Sequence, residues 1–196
     1  GFPPNEEFVK REFLITGGTI ECIRHAEEKG VSFNFAGGTH HAFRNRGEAF
    51  CIFNDVAAAA NYLIFRNPEN SVVIIDLDAH QGNGTAEIFS GREEVFTFSM
   101  HMEKGYPLRK TVSDLDISLK KGTGDSDYIK ILEKHLDEIL NRKFGAAFYI
   151  AGADVAETDS WGEMALSSAG VMARDELVFS RLKSAGIPVV VTMGGG

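Results

Sequence analysis

One stretch of the sequence, residues 72–84, restricts the possible folds more than any other. It begins with the apolar, β-branched run Val72–Ile75 and continues as Asp-Leu-Asp-Ala-His-Gln-Gly-Asn-Gly. A continuous run of valine and isoleucine is typical of a strand covered on both faces, as in a parallel sheet. Side chains alternate along a strand, so Asp76, Asp78 and His80 would share one side if the extended conformation continued. Polar groups at the carboxyl end of a buried strand are costly unless they meet a cation, a substrate or one another, so the stretch predicts half of a metal site.

Strands and helices alternate along the rest of the chain. The predicted helices cover about residues 6–29, 55–65, 85–89, 128–141 and 168–184, and the predicted strands 31–35, 72–76, 95–99, 116–119, 146–151 and 187–193. Gly17-Gly18 is expected to interrupt or loosen the first helix, and Asp125 is expected to cap the fourth. This alternation implies parallel βαβ units with helices on both faces of an open sheet, which is an α/β fold.

Composition excludes several classes of protein. The formal net charge of −8 argues against a non-specific nucleic-acid binder. The only cysteines, Cys22 and Cys51, do not form a CxxC pair, so neither a disulfide scaffold nor a thiolate zinc site is expected. The sequence shows no signal peptide and no run that could cross a bilayer, so we expect a cytoplasmic protein without membrane partners. The 196 residues suit one domain, and residues 1–4 and 194–196 read like the cut ends of a fragment.

Polar side chains collect after the predicted strands. His40 and His41 follow the strand at 31–35, and Asp78 and His80 follow the strand at 72–76. His101 follows the strand at 95–99, and Asp154 follows the strand at 146–151. Two aspartates and one histidine form an open ligand set for a divalent cation, with room left for water and substrate. Such a cation lowers the pKa of bound water and polarises a carbonyl group. One histidine of the adjacent pair could then act as a base while the other orients or polarises.

Each feature also has a less specific interpretation. A His-His pair occurs more often as ordinary polar decoration than in catalysis, and Asp154 alone could be a helix cap or a turn residue. Gly82-x-Gly84 could cradle a phosphate, although no GxGxxG pattern follows the strand. The metal interpretation is favoured because all the candidate ligands fall on one edge of one predicted sheet.

Four motifs, in order and in register, resemble the histone deacetylase superfamily. They are Gly37-Gly38-Thr39-His40-His41-Ala42, Phe50-Cys51-Ile52-Phe53-Asn54-Asp55, Asp76 to Thr85, and Gly152-Ala153-Asp154. The sequence is most similar to the bacterial acetoin-utilisation and acetylpolyamine amidohydrolase branch. The resemblance implies an arginase/deacetylase fold and a zinc-dependent hydrolase. Its substrate would be a small acetylated amine or an acetyl-lysine peptide, and no oligomeric state follows from it.

The resemblance also assigns metal sites. It implies zinc ligands at Asp78, His80 and Asp154, a set that would equally suit ferrous iron. It further implies a structural potassium ion, which would offset the carboxylate charge. The matching potassium positions are Asp76, Asp78, His80, Ser99 and Met100.

Catalytic roles follow from the same resemblance. His41 matches the general base that activates the zinc-bound water and then protonates the amine, and His40 matches its electrostatic partner, hydrogen-bonded to Asp76. Asn83 stands where a residue orients His41, and some branches have aspartate there. A carboxylate raises the pKa of a neighbouring histidine and an amide does not, so we expect a less basic His41.

The resemblance places substrate contacts at Phe50, Tyr106 and Gly152, with Phe50 and Tyr106 as the walls of an acyl-lysine tunnel. Ala49 stands where glycine is common, so a tighter floor is expected beside Phe50. Family enzymes carry a tyrosine directly after the final glycine turn and a longer N-terminal segment, so the resemblance leads us to expect that the sequence of 196 residues is a fragment that lacks both. Loss of an oxyanion donor costs about a hundred- to a thousandfold in rate. The alternatives are therefore a catalytically weak acyl-amine binding module, or a deacylase or esterase for another acyl group.

Overall fold

The computed structural model describes residues 5–195, so the terminal segments 1–4 and Gly196 lie outside the described residues. The strands are β1 (Val31–Asn34), β2 (Val72–Asp76), β3 (Val95–Met102), β4 (Leu115–Leu119), β5 (Ala146–Ile150) and β6 (Val189–Thr192). The helices are α1 (Glu6–Lys29), α2 (Asp55–Arg66), α3 (Asn83–Phe89), α4 (Asp125–Ile139) and α5 (Ser168–Ser184). A short 3-10 turn at Ala153–Val155, which the sequence analysis did not predict, follows β5.

The strands form one sheet in the order β1-β6-β5-β2-β3-β4, and every neighbouring pair is parallel. Alternate strand residues face opposite layers of helices. Buried residues of α1 and α2 pack with Ile74 and Phe148 on one face. Buried residues of α4 and α5 pack with Ile75 and Tyr149 on the other. The prediction of an open parallel α/β sheet with helices on both faces is confirmed.

The order of the strands reverses between β2 and β5. The chain passes from β2 outward to β3 and β4 on one side, and then returns to place β5 and β6 on the other side of β2. In open α/β sheets such a reversal opens a crevice at the carboxyl ends of the two strands, and ligands bind there. The segments that follow β2 and β5 carry the predicted metal ligands.

Helix α1 runs without a break through Gly17-Gly18, so the predicted interruption is wrong. Its buried face, which includes Ile15 and Ile23, provides packing that outweighs the low helix propensity of glycine. A Cβ atom at Gly18 would lie 3.2 Å from the Asn34 amide, so the glycine allows close approach of β1. Within residues 5–195, neither α1 nor any other helix is both long and apolar enough to cross a membrane.

Two other local predictions are wrong. Strand β3 extends to Met102, so His101 lies inside the strand and not beyond it. Its Nδ1 atom contacts Ser99 Oγ at 2.9 Å, which leaves it outside the candidate metal site. Asp125 is the first residue of α4 and not its cap, because its carboxylate accepts hydrogen bonds from the backbone and hydroxyl of Ser167 at the start of α5.

Candidate metal centre

The segment after β2 bends sharply as soon as the strand ends. The extended conformation stops at Asp76, so the condition under which Asp76, Asp78 and His80 would share one side of a strand is not met. The Asp78 backbone N–H donates to Asp76 Oδ1 (3.2 Å), and the His80 backbone N–H donates to Asp78 Oδ1 (2.9 Å). Aspartate favours such local side-chain-to-backbone bonds, which compete with continuation of a strand. The bend brings Asp78 and His80 together in the crevice.

Asp78, His80 and Asp154 converge on one point, and we call them the candidate ligand group. One ligand atom from each lies within 4.8 Å of the others, and this is the one such group found within residues 5–195. His80 Nδ1 is 3.1 Å from Asp78 Oδ1 and 2.9 Å from Asp154 Oδ2. The Ala79 N–H donates to Asp154 Oδ1 (2.9 Å), and the Gly195 N–H donates to Asp78 Oδ2 (2.7 Å). The carboxylates are thus held in place from β2, β5 and the turn after β6.

The chemistry of the candidate ligand group fits a divalent cation. Asp78 and Asp154 are 1% and 3% exposed, and a buried carboxylate is stable only beside positive charge. Hydrogen bonds to Asp154 and Asp78 raise the pKa of His80 to about 10, although burial opposes this, because the two carboxylates attract a proton strongly. Two carboxylate oxygens and one imidazole nitrogen are ligands that zinc and ferrous iron both accept.

His40 lies beside this group as a buried cation. Its Nδ1 atom donates to Asp76 Oδ2 (2.7 Å), and its Nε2 atom lies 3.8 Å from Asp78 Oδ1. Burial alone would lower the pKa of His40, but the charges of Asp76 and Asp78 outweigh it and raise the pKa to about 9. His40 therefore carries a proton at neutral pH.

His41 has the opposite electrostatic character. Its ring lies next to that of His40, with centroids 4.1 Å apart, and its Nδ1 atom is 2.7 Å from Asn83 Oδ1. Burial and then the charge of His40 lower the pKa of His41 to about 3, so it is neutral at neutral pH. The hydrogen bond to Asn83 raises the pKa but is outweighed, and the expectation that His41 is less basic than it would be beside an aspartate stays a prediction.

Gly82 and Gly84 allow the backbone to approach the histidine pair closely. A Cβ atom at Gly82 would lie 2.2 Å from Asp76 Oδ2 and 3.3 Å from His40 Nδ1. A Cβ atom at Gly84 would lie 2.2 Å from the Ala42 carbonyl oxygen. Close packing therefore explains why both residues are glycine, without the phosphate-binding turn that Gly82-x-Gly84 could also have indicated.

Tyr106, one of the two aromatic residues predicted as tunnel walls, lies beside the histidine pair. The Tyr106 ring stands perpendicular to that of His41 with centroids 4.9 Å apart, and Tyr106 is 37% exposed. Phe50 is 75% exposed and follows Ala49 in a tight turn, closed by backbone hydrogen bonds in both directions between Glu48 and Cys51. Ala49 has φ of 52°, a left-handed conformation that favours glycine.

Three other predicted site residues, Gly152, Ser99 and Met100, lie in positions set by close packing and strand pairing. Gly152 is buried, and a Cβ atom there would lie 2.6 Å from the Asp78 Cα. Ser99 pairs with Asp76 in the register of β3 and β2, and the predicted potassium residue Met100 is fully buried beside it. Of the predicted potassium residues, Asp76, Ser99 and Met100 thus lie on adjacent strands, and Asp78 and His80 lie in the bend after β2, so the potassium site stays a prediction.

The sequence analysis missed Arg174, a buried cation beneath the site. It is 1% exposed, and its Nη1 atom donates to the carbonyls of Gly152 (2.6 Å) and Leu77 (3.4 Å). Its Nη2 atom donates to the Ala151 carbonyl (3.5 Å). Leu77 directly precedes Asp78, and Ala151 and Gly152 lie three and two residues before Asp154. Arg174 therefore joins the two segments that supply the carboxylates, but an arginine in an amphipathic helix gives no such signal in the sequence.

We expect Arg174→Met to lower the free energy of unfolding by about 3 kcal/mol, because it leaves buried carbonyl groups without a donor. Urea denaturation measures the change. Arg109→Met, at an exposed arginine, is the control and should stay within about 0.5 kcal/mol of the wild type. A loss below about 1 kcal/mol for Arg174→Met would show that the three hydrogen bonds contribute little.

Comparison with known proteins decides the family. A profile described as the histone deacetylase domain matches residues 2–196. The chain belongs to the histone deacetylase family. An uncharacterized protein from Picosynechococcus is 43% identical over 197 residues, a match covering 100% of this chain and 66% of that protein. Histone deacetylase 2 from Arabidopsis thaliana is 34% identical over 185 residues, covering 92% of this chain and 48% of that protein.

Solved structures of histone deacetylase homologs share the fold. The crystal structure of a homolog from Aquifex aeolicus superimposes with a TM-score of 0.83 at 28% identity, covering 95% of this chain and 53% of that one. A homolog structure complexed with SAHA superimposes with a TM-score of 0.83 at 28% identity, covering 94% of this chain and 52% of that one. These matches confirm the predicted arginase/deacetylase-like fold.

Proposed function

We propose that this histone deacetylase family protein is a metal-dependent amidohydrolase that removes the acetyl group from an N-acetylated amine. One observation carries the proposal. A buried, neutral histidine, His41, lies beside the candidate ligand group, with its ring centroid 6.3 Å from that of His80. A base next to a site for a Lewis acid is what amide hydrolysis needs.

Asp78, His80 and Asp154 would hold the metal, zinc or ferrous iron. A divalent cation supplies polarisation of the substrate carbonyl and a more acidic water. The Asn83 carbonyl accepts from His41 Nδ1, so the Nε2 atom of the neutral ring is left as the proton acceptor. His41 would take a proton from the attacking water and deliver it to the amine nitrogen as the amide bond breaks.

His40 would stabilise negative charge without exchanging protons. Its imidazolium ring is held between Asp76 and Asp78, and its pKa of about 9 keeps it charged at neutral pH. A fixed positive charge next to the reacting carbonyl favours the transition state of acyl transfer. The two adjacent histidines thus take different roles because their hydrogen-bond partners differ.

Phe50 and Tyr106 favour a slender substrate such as acetyl-lysine or an acetylpolyamine. The Tyr106 ring borders His41, Phe50 is an exposed ring two residues after Glu48, and aromatic walls suit an alkyl chain. The SAHA complex of a homolog is consistent with a ligand of this kind.

The proposal has three further parts. They are membership of the bacterial acetoin-utilisation and acetylpolyamine branch, a bound potassium ion and a cytoplasmic location. The chain spans 66% of one relative and about half of others, so the activity of the whole protein is proposed with them.

Acetate release tests the function directly. The full-length protein, loaded with zinc or ferrous iron, is incubated with an acetyl-lysine peptide, an N-acetylated diamine and matched substrates with longer acyl chains. We expect acetate release that stops when a chelator removes the metal and resumes when the metal is restored. Binding of acetylated amines without any release would favour a binding module, and a preference for longer chains would favour a deacylase.

A further inference from the structure

One carboxylate links the histidine pair to the aromatic wall. Glu48 Oε1 accepts a hydrogen bond from Asn83 Nδ2 (2.8 Å) and another from the Tyr106 hydroxyl (2.8 Å). Its Oε2 atom faces the Arg46 guanidinium at 3.2 Å. Burial raises the pKa of Glu48, but the hydrogen bonds from Tyr106, Asn83 and Arg46 outweigh it and bring the pKa below its usual value. Glu48 is therefore an ionised group that can only accept hydrogen bonds.

The charge of Glu48 determines which way the Asn83 amide points. The oxygen and nitrogen ends of an amide have nearly the same shape, so hydrogen-bond partners decide its orientation. Because Glu48 only accepts, it must face the Asn83 NH₂ group. The carbonyl end is then turned towards His41, where Oδ1 lies 2.7 Å from Nδ1.

The orientation of Asn83 in turn determines the tautomer of His41. A carbonyl oxygen cannot donate, so the neutral ring must carry its proton on Nδ1 and leave Nε2 free as the base. With the amide reversed, the NH₂ group would face Nδ1 and favour a proton on Nε2, which would block that atom.

We propose that Glu48 is a positioning residue that keeps His41 in its base-competent tautomer through the Asn83 amide, an inference that rests on the proposed function. The carboxylate is not needed to form the turn that carries it. Backbone hydrogen bonds join Glu48 and Cys51 in both directions, and the Phe43 N–H donates to the Arg46 carbonyl. Glu48 also accepts the hydrogen bond from the Tyr106 hydroxyl, so the same carboxylate would align both His41, as the base, and Tyr106, as a substrate wall.

The test is a double-mutant cycle between positions 48 and 83 in the full-length, metal-loaded protein. We expect Glu48→Ala to lower kcat about tenfold to a hundredfold, a range typical for residues that orient a group touching the reaction. In the Asn83→Asp background the same change should leave kcat equal or higher, because both oxygens of an aspartate accept and Glu48 beside it is a like charge. An equal loss in the two backgrounds, or an inactive Asn83→Asp variant, would overturn the proposal.

Two further variants separate the contacts of Glu48. Tyr106→Phe removes one hydrogen bond to Glu48 and leaves those from Asn83 and Arg46, so we expect an effect mainly on KM. Glu48→Gln should fall between wild type and Glu48→Ala in kcat, because its amide can accept from Asn83 in one orientation and donate to it in the other. Glu103→Ala, at an exposed glutamate, is the control. A Glu48→Gln variant as impaired as Glu48→Ala, or a kcat loss in Tyr106→Phe equal to that of Glu48→Ala, would contradict the role through Asn83.

Imidazole nitrogen chemical shifts, measured by NMR without metal, test the tautomer independently of activity. We expect the Nδ1–H tautomer of His41 in the wild type and a mixture in Glu48→Ala. A wild type with the proton on Nε2, or an unchanged tautomer in Glu48→Ala, would overturn the proposal. If the wild type releases no acetate from any substrate, the proposed function fails, while these shifts still decide the role of Glu48.

Discussion

Asp154→Ala is expected to abolish stoichiometric zinc binding and, with it, all measurable deacetylation. Asp154 supplies one of the three side chains of the candidate ligand group, and the variant leaves only Asp78 and His80, which are too few to hold the ion. Metal analysis of the purified full-length protein, together with acetate release, measures both effects.

Two controls separate loss of a ligand from loss of structure. Asp154→Asn keeps an oxygen that can accept from the Ala79 N–H but removes the charge, so we expect it to bind metal poorly while unfolding near the wild-type temperature. Asp127→Ala removes an exposed carboxylate from α4 and should keep its metal. Stoichiometric zinc in Asp154→Ala would show that the ligand assignment is wrong.

His41→Ala is expected to lower kcat by about a hundred- to ten-thousandfold, the usual range for loss of a general base, with metal content unchanged. The effect on metal should be small because the candidate ligand group does not include His41. Parallel measurements of kcat and bound metal check both parts of the expectation.

The matched control for His41→Ala is His25→Ala, at a half-exposed histidine in α1 that should be neutral for activity. A His41→Ala variant with activity within about tenfold of the wild type would exclude His41 as the base. Loss of the metal would instead show that His41 supports the ligands. Together with Asp154→Ala, these variants assign metal binding and proton transfer to different residues.

The sheet and the candidate ligand group could be predicted because both depend on short-range patterns. The apolar run Val72–Ile75 marked a central strand, and parallel strands end at a common edge. That was enough to predict that Asp154, far along the chain, would lie near Asp78 and His80. The continuous α1 was not predictable, because its packing against α2 and β1 outweighs the cost of two glycines.

Residues that act through long-range contacts gave no signal in the sequence. Arg174 binds the Leu77 carbonyl across 97 positions, and Glu48 binds the Tyr106 hydroxyl across 58. Neither residue stands in a periodic pattern or in a spacing associated with a ligand. Only the folded arrangement shows that Arg174 faces buried backbone carbonyls and that Glu48 faces the side-chain amide of Asn83.

Because β5 must pair with β2 to bring the two carboxylates together, metal binding would report whether the sheet is complete. Asp78 and Asp154 become neighbours only when β5 pairs with β2, although β3 and β4 lie between these two strands in the sequence. Partly organised chains can have one carboxylate in place without the other, and these cannot retain the cation. Metal uptake during refolding would therefore mark the moment at which the two halves of the sheet close.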